Sequence, residues 1–251
     1  MRLRTGTAVI VLVGVLSAAG CATRLPPPDP SPSPGPTGPT DAWGQLAARV
    51  ATAQDKRYVA AYTLTSRGRP ARTVTVTVAA DGTWLVTVPG GALGGTADVA
   101  VADTPAGLYQ CVLGTTPGAT PGCVRVADPT GTLPPKNDPR VEYLFTSWLP
   151  ILTDRDQAIA VNNATLKGAQ GQCFSIEPNS AALAPPVDAG IYCYDTGGTL
   201  TAAALAMGTF TLTGAPTPAP PTVALPAPIV PGQPVPTASP SPTASPAAGQ
   251  Q

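Results

Sequence analysis

The sequence predicts an α+β domain, built mainly on an antiparallel sheet and flanked by two proline-rich segments. Apolar residues alternate at period two in many short runs between residues 41 and 214, and helical spacing occurs only twice there. The prolines have the opposite distribution: eight lie between Pro26 and Pro39, and twelve lie between Pro216 and Pro246. All twelve aromatic residues lie between these two segments. We therefore expect one globular domain over residues 41–214.

The first helix and the strands follow from residue spacing. Trp43, Leu46 and Val50 recur at helical spacing, with Thr40 or Asp41 as the N-cap. Period-two alternation then predicts about ten strands. Their ranges are 58–64, 73–78, 84–88, 97–102, 107–113, 122–127, 157–164, 171–177, 189–195, 199–205 and 208–213.

A second helix is predicted between the two groups of strands. Asp138 and Pro139 suit its N-cap and first position, because proline at that position loses no hydrogen bond. Apolar residues over 141–152 have helical spacing, and Pro150 is expected to kink or end the helix near Leu149. Two helices and about ten antiparallel strands make the α+β plan.

The N-terminus has the form of an export signal. Basic residues at positions 2 and 4 precede an apolar run over residues 8–16, which is too short for a permanent membrane span. The sequence AAGC at residues 18–21 resembles a bacterial lipobox, with alanine where leucine is more usual. This implies removal of residues 1–20 and attachment of a diacylglyceryl group to Cys21. An ordinary secretory signal with a chance cysteine is the alternative. We expect the lipid to anchor the protein at the outer face of the cell membrane.

The two proline-rich segments are predicted to lack regular hydrogen-bonded structure. Residues 21–40 carry the lipid and a spacer that favours extended polyproline II. Residues 215–251 have the same bias towards proline, alanine, serine and threonine, with almost no charge. We therefore expect that tail to be disordered.

Four cysteines remain for the domain: Cys111, Cys123, Cys173 and Cys193. An even number in an exported domain indicates disulfides, and four cysteines allow three pairings. Pairing of sequence neighbours is the simplest choice, which joins Cys111 to Cys123 and Cys173 to Cys193. A four-cysteine zinc site is the alternative, and the absence of any C-x-x-C spacing counts against it.

Composition excludes several classes of function. The chain has no histidine, which removes the commonest general base and a common metal ligand. Fourteen basic and fourteen acidic residues give a net charge of zero, whereas a nucleic-acid binder needs a basic face. We therefore expect no catalytic residues, no metal, no cofactor and no nucleic-acid partner.

The apolar faces of the predicted elements allow two interpretations. They either pack one ordinary core or line a groove for a lipid tail, because a curved antiparallel sheet with helices over its concave face is a natural apolar container. Periodicity does not separate the two. The candidate lining residues are Tyr62, Val76, Trp84, Val86, Phe145, Trp148 and Leu152.

The order of these features resembles the LppX/LprG-type lipoproteins of mycobacteria and other actinobacteria, which are related in shape to the lipoprotein carrier LolA. The most suggestive stretch lies between Gly190 and Leu212, where one strand ends in a turn at Asp195 and the next begins with Leu200-Thr201. The resemblance implies a half-barrel, a strongly curved antiparallel sheet with about two helices over its concave face, that binds acyl chains. The proline-rich tail is not part of that pattern.

Two functions follow as hypotheses. The first is a non-enzymatic, membrane-anchored monomer whose half-barrel binds or transports a lipid or a lipoprotein acyl chain. The second is a structural or interaction module, with the same fold and a filled core, that contacts an envelope protein or a cell-wall polymer at the cell surface. A bound lipid supports the first hypothesis, and a packed interior favours the second.

Overall fold

The computed structural model describes residues 41–129, 131–179 and 185–238. The predicted signal peptide, the predicted lipidation site at Cys21 and the predicted spacer lie outside these residues, as does the end of the tail over 239–251. Within the described ranges, no helix is both long and apolar enough to cross a membrane.

Helix α1, Ala42–Gln54, opens the domain as predicted. Leu46 and Val50 are completely buried, because the helical spacing places both on the face that meets the sheet. Asp41 precedes the helix but makes no side-chain cap. Its carboxylate instead forms an ion pair with the Arg155 guanidinium, with 2.9 Å between Oδ2 and Nη2.

Twelve strands follow in the described residues, and each of the eleven predicted ranges overlaps one of them. Their bounds are β1 Tyr58–Thr65, β2 Arg72–Val78, β3 Trp84–Ala92, β4 Ala97–Thr104, β5 Gly107–Val112, β6 Gly122–Ala127, β7 Ile159–Ala164, β8 Gln172–Pro178, β9 Gly190–Tyr194, β10 Leu200–Leu205, β11 Gly208–Leu212 and β12 Thr217–Pro218. Only β12 was not predicted, because it lies in the proline-rich tail.

The strands form one open antiparallel sheet. This confirms the prediction of an α+β fold built mainly on an antiparallel sheet. Its order is β6-β5-β4-β3-β2-β1-β11-β10-β9-β8-β7, with β12 paired to the beginning of β1. Two meanders, β1 to β6 and β7 to β11, therefore meet where β1 pairs with β11, and Tyr62 lies opposite Leu212 there. Strands β6 and β7 are the two ends of this order.

The sheet buries one face more deeply than the other. Tyr62, Val74 and Val76 point to the inner face and are completely buried, whereas Thr63 and Thr75 point to the outer face and are half-buried. Helix α1 and the connection between β6 and β7 supply the other side chains of the core. The core therefore lies between these segments and the inner face.

The connection between β6 and β7, residues 128–158, is called the crossover below because it joins the two ends of the sheet. It contains the 3₁₀ turns Pro135–Asn137 and Glu142–Phe145 and one short helix, α2, Trp148–Ile151. Leu144, Phe145 and Trp148 are buried against the sheet, as their spacing predicted.

The prediction of a single helix that begins at Asp138 and that Pro150 kinks or ends near Leu149 is wrong, because the crossover contains two separate short helical pieces after Asp138. Arg140 has a φ of 61°, and Thr146 has φ and ψ of −137° and −98°, so the backbone leaves the helical conformation at both residues. Pro150 explains the second break, because a proline ring clashes with the residue four positions earlier in a helix, which is Thr146 here. The helical piece that contains Pro150 is consequently only four residues long.

Both predicted disulfides are confirmed. Cys111–Cys123 joins β5 to β6, and Cys173–Cys193 joins β8 to β9. In each pair the two residues lie directly opposite each other on antiparallel strands. The zinc alternative is wrong, because all four sulfurs are in these two bonds.

Residues 215–238 follow a defined path along the sheet, so the prediction of disorder is wrong for this part of the tail. We call it the strap. The backbone N–H groups of Ala80 and Asp81 donate hydrogen bonds of 2.9 and 3.1 Å to the carbonyls of Pro220 and Pro221. Proline lacks an N–H group but keeps its carbonyl, so a proline-rich segment attaches to a sheet mainly by accepting hydrogen bonds.

The strap continues from the outer face, past the edge strand β6, to the inner face. Leu225 and Ala227 pack on the cluster that contains the Cys111–Cys123 disulfide. Ile229 then forms a parallel bridge with Cys123 of β6, and Val235 packs against the main core. The globular unit therefore includes the strap and does not end at residue 214.

Candidate ligand cleft

The seven residues predicted to line a lipid groove lie together in the main core, with Trp84 half-buried at its margin. The rings of Tyr62 and Phe145 lie 5.0 Å apart between centroids, and the Tyr62 hydroxyl donates a hydrogen bond of 2.9 Å to the carbonyl of Leu200. Side chains of the sheet, α1 and the crossover surround all seven. Only Trp84 and Phe145 of the seven also line a described surface depression, of about 230 Å³.

A cleft of about 490 Å³ lies where five segments meet: the β1–β2 hairpin, the end of β3, the crossover, the β10–β11 turn and the strap. This volume is within the range of small-molecule sites. We call it the arginine cleft. Its lining residues are Leu64, Ser66, Arg67, Arg69, Arg72, Val88, Gly90, Gly91, Gly95, Asp138, Pro139, Val141, Ala206, Met207 and Thr237.

Backbone carbonyls of the β3–β4 connection hold two of the three arginines. Arg69 donates through Nη2 to the carbonyl of Gly94 over 2.7 Å. Arg72 donates through Nη1 to the carbonyl of Pro89 over 3.0 Å, and through Nη2 to Ser66 Oγ over 3.0 Å. Both guanidiniums are therefore fixed in position by neutral oxygens and not by carboxylates.

Glycine is required in this connection for the arginines to approach the backbone. Gly95 has a φ of 102°, and a Cβ atom there would lie 2.2 Å from Arg69 Nη1. Gly90 has a φ of 61°, and a Cβ atom there would lie 3.0 Å from Arg72 Nη1. The absence of side chains at these glycines thus lets the two guanidiniums contact the backbone of residues 89–95.

The cleft has an excess of positive charge. Among the residues that the structure describes, neither Arg67, Arg69 nor Arg72 forms an ion pair. Burial lowers the pKa of Arg72, the neighbouring Arg69 lowers it further, and Asp98 opposes both effects. Arginine keeps its proton at any physiological pH, so Arg72 remains a partly desolvated cation.

Asp138 is the one carboxylate among the described lining residues, and its oxygens are already engaged. The backbone N–H of Arg140 donates to Oδ1 over 2.7 Å, and the Tyr143 hydroxyl donates to Oδ2. Three positive charges therefore face one negative charge, whose hydrogen-bonding capacity is used within the crossover.

Several apolar side chains reach the arginine cleft from the main core and form what we call its floor. Leu64, Val88 and Val141 line the cleft and are at most 3% exposed. Met207 lies beside them and is half-buried. A ligand on this floor therefore contacts the side chains that also pack against the predicted lining residues.

The strap forms one wall of the cleft through Thr237. Main-chain hydrogen bonds of 2.8 Å fix this wall, from Leu93 N–H to the carbonyl of Pro236 and from Gly94 N–H to the carbonyl of Thr237. The glycine-rich connection thus binds arginine side chains with some of its carbonyls and the strap with its N–H groups.

A buried carboxyl lies next to the cleft in the crossover. Glu142 is 1% exposed, and neither of its carboxyl oxygens has a described hydrogen-bond partner of normal geometry. Burial raises the pKa of Glu142 well above its usual range, and the neighbouring Asp138 carboxyl raises it further.

The three arginines are not among the candidate site residues that the sequence predicts. The available signal was their spacing: three of the fourteen basic residues lie within positions 67–72, in a loop between two predicted strands. A glycine-rich run over residues 89–95 follows the next strand. Nothing in the sequence shows that these loops meet, because β2 and β3 separate them.

The described residues contain no group of three or more acidic or cysteine side chains arranged to hold a metal. No protein-family model matches this chain, and no curated protein matches it in sequence. The relation to the LppX/LprG-type lipoproteins therefore stays a prediction.

Proposed function

We propose that this chain is a non-enzymatic lipoprotein of the cell envelope that binds an amphiphilic lipid at the arginine cleft. One observation carries the proposal: a single cleft combines an arginine-rich rim with a floor that belongs to the apolar core. An amphiphile has the same two parts, a polar headgroup beside an acyl chain. Apolar surface buried on the floor contributes roughly 25 cal/mol per Å² to binding, before the costs of association.

The fold supports a path for the acyl chain. The crossover over the inner face consists of short turns and a four-residue helix, and its internal backbone hydrogen bonds join residues only three or four positions apart. Displacement of this segment from the sheet extends the cleft floor towards Phe145 and Trp148. These two residues are among those expected to line a half-barrel of the LppX/LprG type.

The proposed location rests on the lipobox. A diacylglyceryl group on Cys21 holds the protein at the outer face of the membrane. The cleft then has access to lipids of that membrane and to lipoproteins on its surface.

A second candidate function is an interaction module that contacts an envelope protein or a wall polymer. The packing of the seven predicted lining residues favours it, because those side chains fill the core instead of facing an open groove. Under this alternative, the open sheet is a rigid support and the cleft carries no lipid.

Native mass spectrometry of the full chain tests the proposal, with lipid extraction of the same sample. The chain is exported from an actinobacterial host so that both disulfides form. We expect a stoichiometric lipid adduct in the wild type. Met207→Glu places a carboxylate on the cleft floor and should abolish the adduct, whereas Thr73→Glu, on the exposed outer face, should retain it.

A clean ligand-free mass in several preparations, with no uptake of added phospholipid or glycolipid, overturns the lipid-binding proposal. That result supports the interaction module. Circular dichroism of both variants must match the wild type, so that loss of the adduct reports on the cleft and not on unfolding.

A further inference from the structure

We propose that the arginine cleft binds a phosphate group, with Arg67 and Arg69 as its direct ligands and the half-buried Arg72 as a further positive charge beside them. This inference rests on the proposed function and names the chemistry of the polar end of its ligand. The phosphate comes either from a lipid headgroup or from a free ion, and the two sources differ in their need for the apolar floor.

The described lining residues of the cleft carry more positive than negative charge. Three guanidiniums and one carboxylate line it, and no described ion pair involves the guanidiniums. Two positive charges therefore remain without a counter-charge among the lining residues, and Asp98, which lies outside the lining, offsets part of the charge of Arg72. A phosphomonoester carries about −1.5 to −2 charges near neutral pH, so it matches this excess better than a single carboxylate does.

Arg72 adds a desolvation cost that an anion would offset. Its Nε is buried and has no hydrogen-bond partner among the described residues, and its two terminal nitrogens bind only carbonyl and hydroxyl oxygens. Burial of a cation beside neutral oxygens is unfavourable unless a negative charge compensates it. An anion bound close by supplies that compensation.

Arg67 and Arg69 retain donors for the ligand. Arg67 is exposed and makes no hydrogen bond within the described chain, and Arg69 directs Nη2 to Gly94 and one long contact of 3.4 Å from Nη1 to Gly90. A guanidinium has five N–H donors in a rigid, planar array that suits the oxygens of phosphate. Arg69 is thus held in position by the glycine-rich connection, with donors left over.

The apolar floor decides between the two sources. Leu64, Val88 and Met207 lie in the same cleft as the arginines, and inorganic phosphate makes no use of them. A phosphorylated lipid contacts both parts at once. We therefore expect a short-chain phosphatidate to bind more tightly than inorganic phosphate.

Isothermal titration calorimetry on the full chain tests this inference with three probes: dihexanoyl phosphatidate, dihexanoyl phosphatidylcholine and inorganic phosphate. We expect phosphatidate to bind most tightly, with an affinity that falls as salt is added. Arg67→Gln combined with Arg69→Gln should weaken phosphatidate binding by about tenfold or more and weaken phosphatidylcholine binding less, because its phosphodiester has one negative charge that choline already balances. Arg57→Gln, an exposed arginine outside this cleft, is the matched control.

The outcomes separate this inference from the proposed function. Equal binding of both lipids, unchanged in the arginine variants, overturns the phosphate site but leaves lipid binding intact. Inorganic phosphate that binds as tightly as phosphatidate supports the site and overturns the role of the acyl chain. Failure of all three probes overturns both. Arg67→Gln alone keeps the test valid if the double variant unfolds, because Arg67 makes no described hydrogen bond.

Discussion

Gln110 and Val235 form a reciprocal pair of hydrogen bonds that ties the strap to the sheet. Gln110 Nε2 donates to the carbonyl of Val235 over 3.0 Å, and the Val235 N–H donates to Gln110 Oε1 over 2.7 Å. The same Nε2 donates to the carbonyl of Asn137 in the crossover over 2.7 Å. The buried Gln110 side chain of β5 thus makes backbone hydrogen bonds, of the kind a neighbouring strand would make, to both the strap and the crossover.

Replacement of Gln110 tests the importance of this connection. We expect Gln110→Leu to lower the free energy of unfolding by roughly 2–4 kcal/mol, because it leaves backbone groups of Val235 and Asn137 without partners in a buried site. Urea denaturation measures the loss. Gln54→Leu, at an exposed position on α1, is the control. Equal stability of the two variants would contradict the prediction, as would unchanged hydrogen exchange at the Val235 amide.

The stability of the protein should depend on pH through Glu142. Its pKa is raised in the folded state, so the folded chain binds more protons than the unfolded chain above the ordinary glutamate pKa. The stabilisation is complete below that value, and it is lost as the pH rises towards the folded-state pKa. We therefore expect the wild type to become less stable between pH 5 and pH 8.

Glu142→Gln removes this titration, so its stability should be nearly flat over the same range. At pH 8 we expect the variant to be more stable than the wild type by roughly 1–3 kcal/mol, because an unpartnered buried charge is no longer formed. Thermal denaturation at a series of pH values measures the difference. Glu177→Gln, at an exposed position of β8, should keep the slope of the wild type. Parallel curves for wild type and Glu142→Gln would disprove the assignment.

Truncation tests whether the strap belongs to the domain. A chain that ends after Gly214 loses the partners of Ala80, Asp81 and Cys123 and uncovers the edge of β6. We expect it to unfold at lower urea concentration and to associate through that edge, because an exposed strand edge pairs readily with another chain. Analytical ultracentrifugation measures the association.

A chain that ends after Ala238 is the matched control for the truncation, since it keeps every described contact of the strap. It should remain a monomer and unfold like the full chain. If the chain ending after Gly214 behaved in the same way, the strap would make no contribution to the fold.

The strands and disulfides could be predicted because their signals are local. Alternation over five to nine residues marks each strand, and each disulfide joins neighbouring strands of one meander. The crossover shows the limit of such signals. Apolar spacing correctly indicated which of its residues are buried, but the break at Thr146 depends on a clash with Pro150 that spacing does not record.

The strap and the arginine cleft could not be predicted because their partners are distant in the chain. Proline-rich composition predicts disorder when the segment is considered alone, and the N–H groups that bind Pro220 and Pro236 belong to Ala80 and Leu93. The cleft likewise assembles residues from hairpin, crossover and strap around Met207. The sheet topology determines which of these distant segments come into contact, and no single stretch of sequence reveals that topology.

On the proposed route of export, the place of the strap in the chain imposes a sequence of events. A chain that emerges N-terminus first presents β5 and β6 well before residues 215–238 leave the translocation machinery. Cys111 and Cys123 are therefore accessible to an oxidant at that stage, whereas both are completely buried in the finished protein. Once Leu225 and Ala227 have docked, the bond beneath them is shielded from exchange. We therefore expect the strap to cover this disulfide only after it has formed.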